Sequence, residues 1–197
     1  MSDDRAALDP SSEPATLRTA LKHSVAALKA DGVPFALGGG YALWVRGAPE
    51  PEHDVDLVVA VEDVPAAVDS LAGAGFRIAR PPEDWLFKAY LDEALVDVLH
   101  AIQGVPVDRS LFDTADEFEV LGVRVPVLTS TQIMTTKLQS LSEHYCDFAP
   151  LLPVVRAVRE QLDWPHIVAA TQGRPFAEAF LTLVDRLGIA DLDSARD

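Results

Sequence analysis

Asp54 and Asp56 lie two residues apart at the start of an apolar run, and Asp97 interrupts a second run between Val96 and Val98. On a β-strand, residues i and i+2 project to the same face, so Asp54 and Asp56 can grip one site together. A charge at Asp97 is costly within an apolar strand unless it is paired or metal-bound. The alternative is a solvent-facing Asp97, with Asp92 or Glu93 as the third carboxylate. Three carboxylates arranged this way would complete a two-metal clamp for hard divalent cations, Mg2+ or Mn2+. Such an ion serves phosphoryl transfer from a nucleoside triphosphate by neutralising phosphate charge and lowering the pKa of an attacking hydroxyl. A strand-like segment, Val33 to Leu37, ends in Gly38-Gly39-Gly40. Glycines there let a phosphate approach backbone N–H groups that a side chain would block. A helix opening at about Tyr41 would turn its positive end to the same place.

An aspartate pair alone is weak support. Asp191-Leu192-Asp193 has the same spacing but lies in a polar tail with no glycine turn before it, and it reads as solvated charge. A dinucleotide fingerprint would need glycine where Leu43 stands, and no GK[ST] phosphate loop occurs. His53, His100 and His144 have no metal-ligand spacing. Cys146 is the sole cysteine, which excludes an intrachain disulfide and a thiolate zinc cluster. Trp44, Trp85 and Trp164 read as core residues.

The elements that must position these groups follow from periodicity. Leu17, Leu21, Val25 and Leu28 predict a helix over 15–30. Strands are expected over 33–37, 54–61, 76–79, 85–91 and 95–102. A helix over about 65–72 follows Asp63, and a short one covers 110–116. Residues 118–127 read as a hairpin turning at Leu121-Gly122. Thr129 and Gln132 have capping-box spacing and predict a helix to about His144. Beyond it the chain reads as helices broken near prolines. The organisation expected is a loose N-terminus over 1–14, an α/β core over 15–128, a helical segment over 129–189 and a loose tail over 190–197.

Composition narrows the function classes. The chain has 197 residues, and 49% are apolar, enough for a packed core. No apolar run is long enough to span a membrane, and the N-terminus lacks signal-peptide order, so a cytoplasmic location is expected. Against 31 acidic residues stand 16 basic ones, a formal charge of −15. Such a surface repels nucleic-acid backbone and argues against extended DNA binding. It suits a small cationic substrate or a metal-masked nucleotide.

The run GGGYALWVRGAPEPEHDVDLVV resembles the DNA polymerase β-like nucleotidyltransferase superfamily, in which a Gly-Gly or Gly-Ser turn precedes an Asp-x-Asp pair. It looks most like the bacterial branch that includes abortive-infection-type toxins. The resemblance covers about residues 15–140. It implies an α/β (α+β) fold whose mixed sheet carries the glycine turn and the aspartates at one end, followed by C-terminal helices. It also implies that Lys137, on the helix after the core, meets the triphosphate. Many members of the branch carry an arginine and a threonine just before the aspartates, where Glu50 and Glu52 stand here, followed by His53. Extra carboxylates there fit a cationic acceptor or an altered activity.

The activity expected is transfer of a nucleoside monophosphate from an NTP to an acceptor hydroxyl, with release of pyrophosphate. Asp54 and Asp56 would hold both metals, Asp97 would hold the catalytic one and help activate the hydroxyl, and Gly39, Gly40 and Lys137 would meet the nucleotide. The acceptor is open among a small cationic molecule such as an aminoglycoside, a tRNA end and a protein hydroxyl. A toxin-like protein would also have an antitoxin partner. The rival expectation is a non-catalytic domain of the same fold that binds a nucleotide or a partner protein.

Overall fold

The computed structural model describes residues 13–192. The expected loose ends over 1–12 and 193–197 lie outside the described residues. In chain order the first elements are α1 (Glu13–Ala30), β1 (Ala36–Leu37), α2 (Gly39–Trp44), β2 (Val55–Val58) and α3 (Val64–Gly73). Next come β3 (Arg77–Ala79), β4 (Leu86–Leu91), β5 (Ala94–Leu99), β6 (Ala101–Ile102) and β7 (Val105–Pro106). β8 (Asp116–Val120) and β9 (Val123–Val127) precede α4 (Ser130–Gln139), α5 (Leu151–Val158), α6 (Trp164–Ala170) and α7 (Pro175–Arg186).

Seven strands form one mixed sheet in the order β3-β4-β5-β2-β1-β9-β8. β2 runs parallel to β5 and β1 parallel to β9, while the other neighbours are antiparallel. β6 and β7 make a separate small hairpin. The expected strand over 95–102 is therefore two elements. His100 is the break: its N–H donates to the Trp85 carbonyl and its carbonyl accepts from Val107.

Burial along β5 alternates, with Ala94, Val96 and Val98 inside and Leu95, Asp97 and Leu99 less covered. This is the period-two pattern of a strand with two different faces. The α1 side chains Leu17, Leu21, Val25 and Leu28 are all buried. Each contributes roughly 1.5–3 kcal/mol by leaving water. α1 packs across β5, β2 and β9 and against α3. One sheet face is thereby sealed, and the face carrying Asp97 borders a cleft.

Two tight turns fix the register. The β4–β5 hairpin turns on Asp92-Glu93, with Asp92 in the left-handed region at φ 52°. β8–β9 turns at Leu121-Gly122, where both residues have positive φ, the backbone of a tight two-residue hairpin.

α4 begins with the expected capping box. Thr129 Oγ1 accepts from the Gln132 N–H at 3.2 Å, and the Thr129 N–H donates to Gln132 Oε1 at 2.9 Å. The helix ends at Gln139, short of the expected His144. Ser142 and Tyr145 then exchange two backbone hydrogen bonds that turn the chain out of the helix. The expected short helix over 110–116 is a 3-10 turn, Arg109–Thr114.

The core and the C-terminal helices share one hydrophobic cluster, running from Leu17 through Val98 and Met134 to Phe180 and Leu192. Leu192 is fully buried, and its N–H donates to Asp185 at 3.2 Å. An apolar side chain within the stretch expected as a polar tail thus packs into the core. No helix among the described residues is long and apolar enough to cross a membrane.

Candidate active site

Asp54 directly precedes β2, and Asp56 lies within it. In the parallel β2–β5 ladder Asp56 stands beside Asp97. The spacing within one strand and the register between two strands thus converge, and oxygens of Asp54, Asp56 and Asp97 all lie within 4.8 Å of one another. Among the described residues this is the only such group of potential metal ligands.

Asp56 is the most constrained of the three. Burial, then the charge of Asp54 and that of Asp97, push its carboxyl up to about 7, although Lys137 and a hydrogen bond from the Gly40 backbone pull the other way. Burial also raises Asp97, against the opposing hydrogen bond and charge of Lys88. The three crowded acids offer only hard carboxylate oxygens as donors. That donor set fits Mg2+ or Mn2+.

The glycine turn is built around this cluster. Gly39 has φ +52°, and a β-carbon on it would stand 1.7 Å from Asp56 Oδ2. A β-carbon on Gly40 would meet the Pro51 ring at 2.8 Å. The glycines therefore admit the Asp56 carboxylate and the 49–53 loop as neighbours. With its N–H bonded to Asp56, Gly40 also helps hold that carboxylate.

The loop before the aspartates is anchored from behind. Both Glu50 oxygens accept from the Arg18 guanidinium, one of them from Nε at 2.6 Å, and Tyr41 Oη donates to Glu50 Oε1 at 3.3 Å. Glu50 is therefore half of an ion pair that ties the loop to α1. Glu52 is exposed and lines the cleft. Arg46, just after α2, donates to the carbonyls of Leu128 and Val127 at 3.1 and 3.2 Å and to Asp116 at 2.7 Å. Its own carbonyl accepts from Gln161 at 2.9 Å. These bonds hold the turn, the far sheet edge and the C-terminal helices in one frame.

The cleft has a volume of about 1400 Å³. Asp54, Asp56, Asp97, Gly39, Gly40 and Lys137 all line it. Lys137 is near enough for its charge to act on Asp56, and it is the only lysine or arginine among the described lining residues. Trp85, expected in the core, is instead 44% exposed at the cleft, as is Tyr145 at 75%. Trp85 directly precedes β4, and its carbonyl accepts from His100 and Ala101, where β5 gives way to β6.

Sequence reasoning missed Lys88. It sits opposite Asp97 in the β4–β5 hairpin, and its Nζ donates to both Asp97 oxygens at 2.9 and 3.2 Å. Counting back from a turn at Asp92-Glu93 would have found it, because a two-residue turn sets that pairing.

No protein-family profile matches the sequence, and no curated protein matches it. Solved structures do. The crystal structure of ANT(2")-Ia in complex with adenylyl-2"-tobramycin matches with a TM-score of 0.50 at 19% identity, covering 88% of this chain and 98% of that one. An antigenic nucleotidyltransferase-like protein from Paracoccidioides brasiliensis matches with a TM-score of 0.54 at 18% identity, covering 91% of each chain. A putative nucleotidyltransferase from Thermotoga maritima matches with a TM-score of 0.51 at 19% identity, covering 64% of this chain and 85% of that one.

Proposed function

Starting from a chain with the polymerase β-like nucleotidyltransferase fold, we propose that it transfers a nucleoside monophosphate from an NTP to an acceptor hydroxyl. The observation that carries this reading is the convergence of Asp54, Asp56 and Asp97 within 4.8 Å at a cleft of that fold. Asp54 and Asp56 would hold a divalent ion, Mg2+ or Mn2+, with Asp97 beside it. The bound ion would neutralise triphosphate charge and make the acceptor hydroxyl more acidic.

The chain's own residues supply the rest. Gly39 and Gly40 leave the approach to the carboxylates free of side chains, so that phosphates can come close. Lys137 contributes positive charge to the triphosphate. Asp97 takes the proton of the acceptor hydroxyl as its oxygen bonds to the α-phosphorus. The bond from the α-phosphorus to the bridging oxygen breaks, and pyrophosphate leaves with the electron pair.

For the acceptor we favour a small cationic molecule over a tRNA end or a protein hydroxyl. Glu52, Asp108 and Asp147 add negative charge to the cleft, and Trp85 and Tyr145 offer exposed aromatic surface. Aromatic faces and carboxylates together suit an amine-bearing ring compound. The similar ANT(2")-Ia structure, which holds adenylyl-2"-tobramycin, is consistent with such an acceptor in this fold.

The test incubates the protein with each labelled triphosphate, Mg2+ or Mn2+, and panels of amine-bearing small molecules, tRNA and protein. Pyrophosphate release and labelled product are measured. Activity that survives Asp54→Ala with Asp56→Ala would sink the proposed site. Metal-dependent triphosphate binding with no transfer to any panel would favour the non-catalytic rival. Transfer to tRNA or protein would instead favour the toxin-like reading, with its antitoxin partner.

A further inference from the structure

We propose that the Lys88 ammonium fills the place of a second cation at Asp97, so that the carboxylate cluster holds one divalent ion, on Asp54 and Asp56. The inference rests on the metal site proposed above and adds its stoichiometry.

Three observations carry it. First, Lys88 is fixed opposite Asp97 by the hairpin register rather than by a flexible loop. Second, its Nζ bonds both carboxylate oxygens, at 2.9 and 3.2 Å, so neither oxygen is left without a cation. Third, the pair is partly buried, with side-chain exposures of 27% for Lys88 and 13% for Asp97. The Lys88 charge also reaches Asp54. Together with one divalent ion it cancels the charge of three ionised carboxylates. A second divalent ion on Asp97 would stand against the ammonium, and that repulsion is only partly screened at a half-buried pair. Lys88 is thus a positioning residue, acting through Asp97.

The experiment counts ions. Mn2+ is titrated into the full chain with a non-hydrolysable triphosphate analogue, using calorimetry and electron paramagnetic resonance. Two Mn2+ ions about 4 Å apart, as in two-metal sites, give a spin-coupled spectrum, and a single ion does not. The wild type should bind one Mn2+ with an uncoupled spectrum. Lys88→Met keeps an unbranched side chain of nearly the same length and removes its charge, and it should bind two with coupling. Lys88→Arg should restore one. Circular dichroism confirms that each variant is folded. Two ions in the wild type, or one in Lys88→Met, would overturn the Lys88 assignment and leave the carboxylate site standing. No Mn2+ bound by the wild type would overturn both.

Discussion

The Gly39 backbone lies against the Asp56 carboxylate, so closely that a β-carbon would be 1.7 Å from Oδ2. The same glycine has φ +52°, where other residues pay about 1–2 kcal/mol. Gly39→Ala therefore meets both a clash and a strained backbone. It should cost at least about 2 kcal/mol in urea unfolding and abolish Mn2+ binding. An alanine variant with wild-type stability and metal affinity would mean that the turn moves freely away from Asp56.

Asp56 makes stability depend on pH in an unusual direction. Because its folded pKa is pushed up to about 7 by burial and like charges, the folded protein holds a proton that the unfolded chain gives up at ordinary carboxylate values. That contribution is fully present at low pH and is lost as pH rises through about 7, by at most on the order of 4 kcal/mol. Without metal, Asp56→Asn should melt above the wild type at pH 8, and the difference should shrink toward pH 4. Mg2+ should raise the wild-type Tm at pH 8 more than at pH 5. Melting curves across pH, with and without Mg2+, check both statements.

Arg18 and Glu50 form a partly buried pair with side-chain exposures of 29% and 19%. Removing the arginine leaves Glu50 facing Tyr41 without its cation. Arg18→Ala should destabilise by about 1–2 kcal/mol, below the cost of breaking a fully buried pair. Glu50→Gln should cost less, because it leaves no unpaired carboxylate behind. Chemical denaturation of both variants measures the difference.

Trp85 and Tyr145 touch the cleft but not the carboxylates' hydrogen-bond network. If they hold the acceptor, Trp85→Ala and Tyr145→Ala should each raise the acceptor KM about tenfold with kcat little changed, a loss of about 1.4 kcal/mol of uniform binding. Their Mn2+ affinity should match the wild type. Equal KM values would remove both residues from the acceptor site.

Much of the site could be read from local pattern. The Asp54–Asp56 spacing, the glycine turn, the interruption of an apolar run at Asp97 and the Thr129 capping box depend on residues a few positions apart. Chain geometry fixes such relationships whatever the rest of the fold does. Two errors had local causes as well. α4 stops at Gln139 because Ser142 and Tyr145 bond each other, and the apolar run after Asp97 breaks at His100, whose backbone bonds elsewhere.

The sequence by itself determined the three carboxylates, the turn beside them and the strands that carry them, because strand periodicity assigns each side chain to a face. Only the tertiary structure decided what surrounds them. The pairing of Lys88 with Asp97 depends on hairpin register, the capture of Glu50 by Arg18 on α1 packing beside the loop, and the position of Lys137 on α4 lining the cleft. It also showed that Gly39 is shaped by Asp56. Residues 17 positions apart meet there because β1 and β2 pair antiparallel and bring the turn back over the strand.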